Sequence, residues 1–264
     1  MISNNQIKLF SSLRNKKYRE IHHKFLAEGE KIVLEILHSS SRIFDIQCLI
    51  ATNEFIKVHG SEVLKNVQEI YEVSAAVLDK ISSLNTPNQA ILVCGIPDHS
   101  PDFPEISEGI SLFLDDIRDP GNLGTIMRTA DWFGIRHIFC TRESVDVFNP
   151  KVVQSTMGSL CRVKVYYIET SALLKEVRKI ESFPLIGTVL DGDNIYTSLL
   201  PSRGIIVLGN ESQGISQKLK EALNFRLLIQ SYGNNSETSE SLNVASAAAI
   251  VIAEFRRRQQ VYSK

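Results

Sequence analysis

The chain of 264 residues is 43% apolar and 22% charged, with a net charge of −1, which is the composition of a folded soluble protein and excludes disorder over most of its length. Near-neutral charge excludes a global electrostatic pull toward nucleic acid, so a polyanionic partner must be met by local patches. The length allows two ordinary domains or one large one.

Residues 1–31 hold Lys8, Arg14, Lys16, Lys17, Arg19, Lys24 and Lys31 against three glutamates, with His22 and His23 alongside. Such a run is either a solvated helix face or a surface for a polyanion. Phe25-Leu-Ala-Glu-Gly-Glu30 opens a helix in which Ile32, Val33, Ile36 and Leu37 recur at helical spacing. A β-rich run follows from Ile43 to Ala51, then a short helix with Ser74 as N-cap and Val77, Leu78 and Ile81 on one face, then an apolar strand from Ala90 to Cys94. Strand and helix alternating in a small unit predict an α/β sandwich.

The acidic, proline-containing stretch 98–108 keeps no regular periodicity and reads as a linker. The predicted domains are therefore 1–97 and 109–264. Beyond the linker, β-type runs at Ser111–Leu114, His137–Cys140, Val163–Ile168, Leu185–Val189, Ile205–Leu208 and Leu227–Ile229 alternate with helical stretches. The helical stretches lie around Ile126–Phe133, Ala172–Ile180, Gln217–Leu223 and Leu242–Arg258. Continuous apolar strands are buried on both faces, which predicts a mainly parallel sheet with ligands at the carboxyl ends of its strands.

Three loops after those strands are unusual. In Asp115 to Gly134, Pro120-Gly121 makes a turn and Asn122 is the expected N-cap of a helix whose core side is Ile126, Ala130 and Phe133. Arg128 projects elsewhere, as a plain surface arginine or as a functional one. In Gly209-Asn-Glu-Ser-Gln-Gly214 glycine permits close backbone approach, and Glu211 is the one charge. The third loop runs from Ile229 to Asn243 into an alanine-rich helix that Ser241 or Asn243 could cap.

Several chemistries lack their residues. No G-x-G-x-x-G is present, which removes the Rossmann dinucleotide cradle, and no G-x-S-x-G supports a serine hydrolase. Gly209 and Gly214 have phosphate-loop spacing, yet Ile215 replaces the lysine that a nucleotidase needs. No His/Cys set has metal-ligand spacing. Asp191-Gly-Asp193 is read as a surface turn, and Arg256-Arg257-Arg258 as cations answering a helix dipole. Four scattered cysteines, no leader and no apolar run of about 20 residues point to a reduced, cytoplasmic protein without a membrane span.

Asn122 through Arg128 and Gly134, Gly209-x-Glu211-x-x-Gly214 and Ser241-Leu-Asn243 together resemble the three motifs of the SpoU family of SPOUT RNA methyltransferases. The first domain is similar to the L30e-like RNA-binding domain that precedes many members, on its basic start, Phe25 to Glu30, and Thr86-Pro-Asn-Gln89. The resemblance implies an α/β fold with a C-terminal deep trefoil knot, a homodimer, and S-adenosylmethionine as methyl donor to a ribose 2′-hydroxyl of RNA, ribosomal RNA before transfer RNA. It further implies catalytic roles for Arg128, Asn122, Glu211, Asn243 and Ser241. Gly209, Ile229, Leu242, Leu208, Gly214 and Thr188 would hold the cofactor, with no metal. Gln230 departs from the proline of many relatives, and the stretch 233–240 is longer and more polar than usual. The alternative is an RNA-binding or ribosome-assembly factor that kept the fold without catalysis.

Overall fold

A computed structural model describes residues 2–39, 43–63, 65, 67–84, 88–233 and 241–262. The expected features at Thr86-Pro87 and in 234–240 lie outside them. The chain forms two compact units, Met1–Asp98 with Asp146–Arg162, and His99–Val145 with Val163–Lys264.

The first unit opens with helices α1 (Asn4–Ser12) and α2 (Lys16–His22). Strand β1 (Lys24–Glu28), helix α3 (Glu30–His38), strand β2 (Ile46–Ala51), helix α4 (Asn53–Val63), strand β3 (Ile70–Glu72), helix α5 (Ala75–Ile81) and strand β4 (Ala90–Gly95) follow. The sheet order is β1-β4-β2-β3, with β4 antiparallel to both neighbours and β3 parallel to β2. Phe25 to Glu28, expected at a helix start, form strand β1, and the helix begins at Glu30. Every position from Phe25 to Glu28 is buried, so burial on both faces overrides local propensity. Ser74 is the N-cap residue of α5 without a capping side-chain bond.

The second unit begins with helix α6 (Phe103–Ile106), strand β5 (Ile110–Leu114), helix α7 (Pro120–Trp132) and strand β6 (His137–Cys140). The predicted linker is thus not free chain: Phe103 stacks on Phe139 at 5.7 Å and Ile106 is buried. After β6 the chain returns to the first unit for residues 146–162, whose helix α8 (Pro150–Thr156) packs on β1. Within that unit Phe148 lies against Phe25 at 4.7 Å. Arg19, 2% exposed, donates Nε and Nη2 to Asp146 Oδ2 at 2.9 and 2.6 Å, and Nη1 to the carbonyls of Leu13 and Arg14. Residues 146–162, expected in the second domain, thus belong to the first, because the contacts that place them there are long-range and leave no periodic trace.

Strand β7 (Lys164–Tyr167), helix α9 (Thr170–Val177), strands β8 (Leu185–Asn194) and β9 (Gly204–Leu208), helix α10 (Gln217–Lys220), strand β10 (Phe225–Leu228) and helix α11 (Val244–Tyr262) complete the second unit. Its six strands run in the order β10-β8-β9-β5-β6-β7, and every neighbouring pair is parallel. All five residues of β5 and of β9 are buried, as a sheet covered on both faces requires. Phe113, Phe139, Leu173, Ile205 and Val207 form the core beneath the sheet, each large side chain contributing about 1.5–3 kcal/mol by burial.

Asp191-Gly-Asp193 is not a simple surface turn. It lies within β8, where pairing with β10 jumps from Gly187↔Arg226 to Asp193↔Leu227. Gly192 permits this irregularity, since a Cβ there would meet the Arg226 carbonyl carbon at 2.7 Å. The arginines of α11 also do more than answer a dipole. Arg256 Nε donates to the Phe133 carbonyl at 2.8 Å, Arg257 pairs with Glu254, and Arg258 donates to the carbonyls of Ile195, Tyr196 and Ser198. None of the described helices is long and apolar enough to cross a membrane.

Candidate active site

The loops after β5 and β9 and the start of α11 converge at the carboxyl end of the second unit's sheet. The helix start is not where the sequence suggested. Asp119, not Asn122, caps α7: its Oδ1 accepts from Asn122 N at 2.8 Å, and Pro120 fills the first turn. Proline suits that position because its missing N–H would have no helical partner. Asn122 is therefore inside the helix, with its side chain released from capping.

That side chain joins the three motifs. Asn243 accepts at Oδ1 from Ala245 N at 3.0 Å and Ser246 N at 3.3 Å, capping α11, and donates from Nδ2 to Asn122 Oδ1 at 2.9 Å. Asn122 in turn donates from Nδ2 to Glu211 Oε1. Because the cap fixes which end of Asn243 is the acceptor, both amides have one allowed orientation and the relay ends on a carboxylate. Residues 122, 211 and 243 are thus brought together from widely separated stretches.

Further bonds join the first two loops. Buried Asp115 accepts from Ser216 N at 2.7 Å, and its own N–H donates to the Leu208 carbonyl. Asn210 Nδ2 donates to the Asp116 carbonyl at 2.9 Å, while its Oδ1 accepts from Ser212 N and Gln213 N. Asp116 has φ +58°, a left-handed conformation uncommon outside glycine and asparagine. Neither Asp115 nor Asn210 stood out in the sequence reading. The signal available was their position, immediately after a buried strand.

The loop 209–214 closes on itself. Asn210 N and Gly214 O are 3.0 Å apart, and Gly214 N and Asn210 O are 2.8 Å apart. A Cβ on Gly209 would lie 2.2 Å from the Gly214 carbonyl carbon, so only glycine permits this approach. Ile215, at 2% exposure, belongs to the core. The N–H groups of Asn210, Ser212, Gln213 and Gly214 are bonded within the loop and Ile215 stands where a phosphate loop has lysine, so the loop does not fit a triphosphate.

The residues expected around S-adenosylmethionine are placed as follows. Thr188, in β8, donates weakly to the Val207 carbonyl at 3.4 Å. Leu208 ends β9 with its side chain in the core, and Ile229 follows β10, half-buried. Strands β10, β8 and β9 are consecutive in the sheet. Gly214 is exposed with φ +68°. Leu242, 49% exposed and next to Asn243, is an apolar side chain held at the surface. This set offers apolar side chains and main-chain groups, which fits a neutral purine and a bent nucleoside without phosphates.

Arg128 is exposed on α7 and makes no hydrogen bond or ion pair among the described residues. Six residues from Asn122, it stands about 9 Å further along the helix axis. Ser241 is exposed. Among the described residues no group of three or more His, Cys, Asp or Glu could hold a metal ion. A cleft of about 530 Å³ lined by Val177, Phe183, Pro184, Leu185, Pro201 and Phe225 lies at the opposite, amino end of the strands and shares no residue with this constellation.

Comparison with known proteins gives the family and the fold. Residues 109–253 match the SpoU rRNA Methylase family, and residues 4–92 match the MRM3-like substrate binding domain. The chain is 31% identical over 254 residues to the 23S rRNA (guanosine(2553)-2′-O)-methyltransferase RlmP of Bacillus subtilis, covering 96% of both chains. Among solved structures, a TrmH-family protein from Porphyromonas gingivalis is 38% identical with a TM-score of 0.84, covering 98% of this chain and 99% of that one. An AdoMet-bound rRNA methyltransferase from Sinorhizobium meliloti is 26% identical with a TM-score of 0.83, covering 98% and 96%.

Proposed function

From the premise that this chain belongs to the SpoU rRNA methylase family, we propose that it methylates a ribose 2′-hydroxyl of ribosomal RNA from S-adenosylmethionine. The observation that carries the reading is the Asn243–Asn122–Glu211 relay. It ties three strand-end loops into one constellation on the helix that bears Arg128.

S-adenosylmethionine supplies, when bound, a methyl group on an electrophilic sulfonium. Gly209, Gly214, Thr188, Leu208, Ile229 and Leu242 would hold it, the side chains of Ile229 and Leu242 as apolar wall, and Leu208 and the glycine loop through the main chain. Transfer to oxygen requires alignment more than covalent help, and holding acceptor and donor in a near-attack pose lowers the barrier by roughly 7–11 kcal/mol. Arg128 orients the 2′-oxygen and stabilises the negative charge that develops on it. A guanidinium keeps its proton in water and is a poor base, so the proton leaves to an RNA phosphate or water. Asn122 and Asn243 fix the helix and loop around the acceptor. Glu211 braces the second loop, and Ser241 positions the chain entering α11.

The first unit binds RNA through exposed Lys8, Lys16, Lys17 and Lys31, while Arg14 donates its Nε and Nη2 to the carbonyls of Ile81 and Lys80. Arg19 is excluded from that surface because it is buried on Asp146. Contacts of this kind hold phosphates without reading sequence. The same reading includes a cytoplasmic homodimer and a deep trefoil knot that gathers the second and third loops.

The test is methyl transfer to ribosomal RNA with labelled S-adenosylmethionine, joined to mapping of 2′-O-methyl positions in cells with and without the protein. Arg128→Ala abolishes transfer and leaves cofactor affinity, read by calorimetry, nearly unchanged. Loss of cofactor binding in that variant refutes the role given to Arg128. Cofactor binding by the wild type without any transfer supports instead an assembly factor.

A further inference from the structure

The segment 110–127 holds one cation, Arg118, against Asp115, Asp116 and Asp119. All three carboxylates are engaged. Asp115 accepts from Ser216 N, Asp119 accepts from Asn122 N, and Asp116 Oδ2 lies 3.4 Å from Asn210 Nδ2. The cation is treated differently. Arg118 is 70% exposed and uses only Nε, which donates to Asp116 Oδ1 at 2.8 Å. Its Nη1 and Nη2 make no bond among the described residues.

The holder is itself fixed with unusual care. Asp116 adopts the left-handed conformation at φ +58°, a strain that persists only where the surroundings over-determine it. Here Asp116 N donates to Thr141 Oγ1 at 2.9 Å and its carbonyl accepts from Asn210 Nδ2. Holding Nε leaves the outer edge of the guanidinium, with its parallel N–H pair, facing solvent. That edge matches two oxygens of a phosphate. Arg118 stands four residues before Asn122, on the loop that leads into the relay. Several other arginines of the second unit are spent internally, Arg256 and Arg258 on carbonyls and Arg226 on Asp191, whereas Arg128 is the exposed one on the helix after this loop.

We propose that Arg118, pre-aimed by Asp116, binds a backbone phosphate of the RNA strand beside the ribose that is methylated. It is a substrate-positioning residue, distinct from the basic surface of the first unit. The inference rests on the reading of the protein as an RNA methyltransferase. Donation of its Nε–H to the Asp116 carboxylate also holds the Arg118 pKa above its ordinary value, so the cation persists at any pH at which RNA is bound.

The experiment compares full-length wild type with Arg118→Gln, Arg118→Lys and Asp116→Asn. Binding to protein-free total ribosomal RNA is measured over a series of KCl concentrations without S-adenosylmethionine, and methyl transfer to the same RNA is measured with it. Arg118→Gln is expected to weaken RNA binding roughly tenfold at low salt. Its plot of log affinity against log salt flattens by about 0.7–0.9, one phosphate contact. The loss falls on KM for RNA rather than on S-adenosylmethionine affinity. Arg118→Lys restores the slope but not the full affinity, and Asp116→Asn, which tolerates the left-handed conformation, gives a smaller loss.

A wild-type slope in Arg118→Gln overturns the proposal, whether or not affinity falls, because a merely structural defect leaves the ion count untouched. If the wild type binds RNA but transfers no methyl group, the enzymatic reading fails while the slope still decides for or against Arg118. If the wild type binds no RNA, both fall.

Discussion

The side-chain amide of Asn243 serves two helices at once: its oxygen caps α11 at Ala245 N, and its nitrogen donates to Asn122 Oδ1 in α7 at 2.9 Å. Asn243→Asp separates these duties, since a carboxylate still caps but cannot donate. Folding stability should stay within about 0.5 kcal/mol, while methyl transfer falls roughly 10- to 100-fold through loss of one aligned bond. Asn243→Ala should lose the cap as well, about 1 kcal/mol. Chemical unfolding and single-turnover transfer measured on both variants check this, and equal activity in wild type and Asn243→Asp would remove the relay from the mechanism.

Gly209→Ala tests the closed loop. The added methyl would meet the Gly214 carbonyl carbon at 2.2 Å and Ile215 N at 2.3 Å, both main-chain atoms that cannot swing aside. The strain should destabilise the second unit by about 1–3 kcal/mol. Displacement of loop 209–214 should also weaken S-adenosylmethionine binding at least tenfold by calorimetry. Gly134, with open space around its Cβ position but φ +68°, provides the contrast: Gly134→Ala should cost stability with cofactor affinity unchanged.

Much of this architecture was legible in the sequence, because the inner strands β5, β6 and β9 are short apolar runs buried on both faces. The three loops were legible for a different reason, as irregular polar stretches that directly follow such runs. Asn122 was misplaced by three residues because asparagine is as good a cap as aspartate, and only the coordinates show Asp119 taking the role. The excursion of residues 146–162 into the first unit left no trace at all. Its helix α8 is seven residues long, and its contacts are with Arg19 and Phe25, more than a hundred positions away.

Arg19→Met should be strongly destabilising. Its removal leaves Asp146, 15% exposed, without the guanidinium on it, and breaking one side of a buried pair costs about 3–5 kcal/mol. Hydrogen exchange would show the effect first in residues 146–162 and α2. Retained protection in that segment would mean that apolar packing of Phe148 and α8 suffices.

Acid should loosen the amino end of β6. His137, 8% exposed, lies 3.3 Å from the Tyr166 hydroxyl through Nδ1 and 3.6 Å from Glu105 through Nε2. Burial pushes its pKa below the ordinary value, with Glu105 opposing and Lys164 and Arg136 assisting. The folded state therefore favours neutral imidazole, while the unfolded chain takes up a proton near its ordinary pKa of about 6.5. The stability contributed by the neutral ring is complete above that value and declines as pH falls through it. His137→Gln should flatten this slope, measured as amide exchange of β6 at pH values on either side of about 6.5. An unchanged slope would assign the acid sensitivity elsewhere.

Strands β6 and β7 lie side by side in one sheet, yet the chain between them detours to lay helix α8 on a strand of a different one. Neither unit is consequently encoded by an unbroken stretch of gene. A fragment ending near Asp98 lacks the helix that covers β1, and a fragment starting there carries that helix with nothing to cover. Exchange of the amino-terminal unit between relatives would have to carry residues 146–162 along with it.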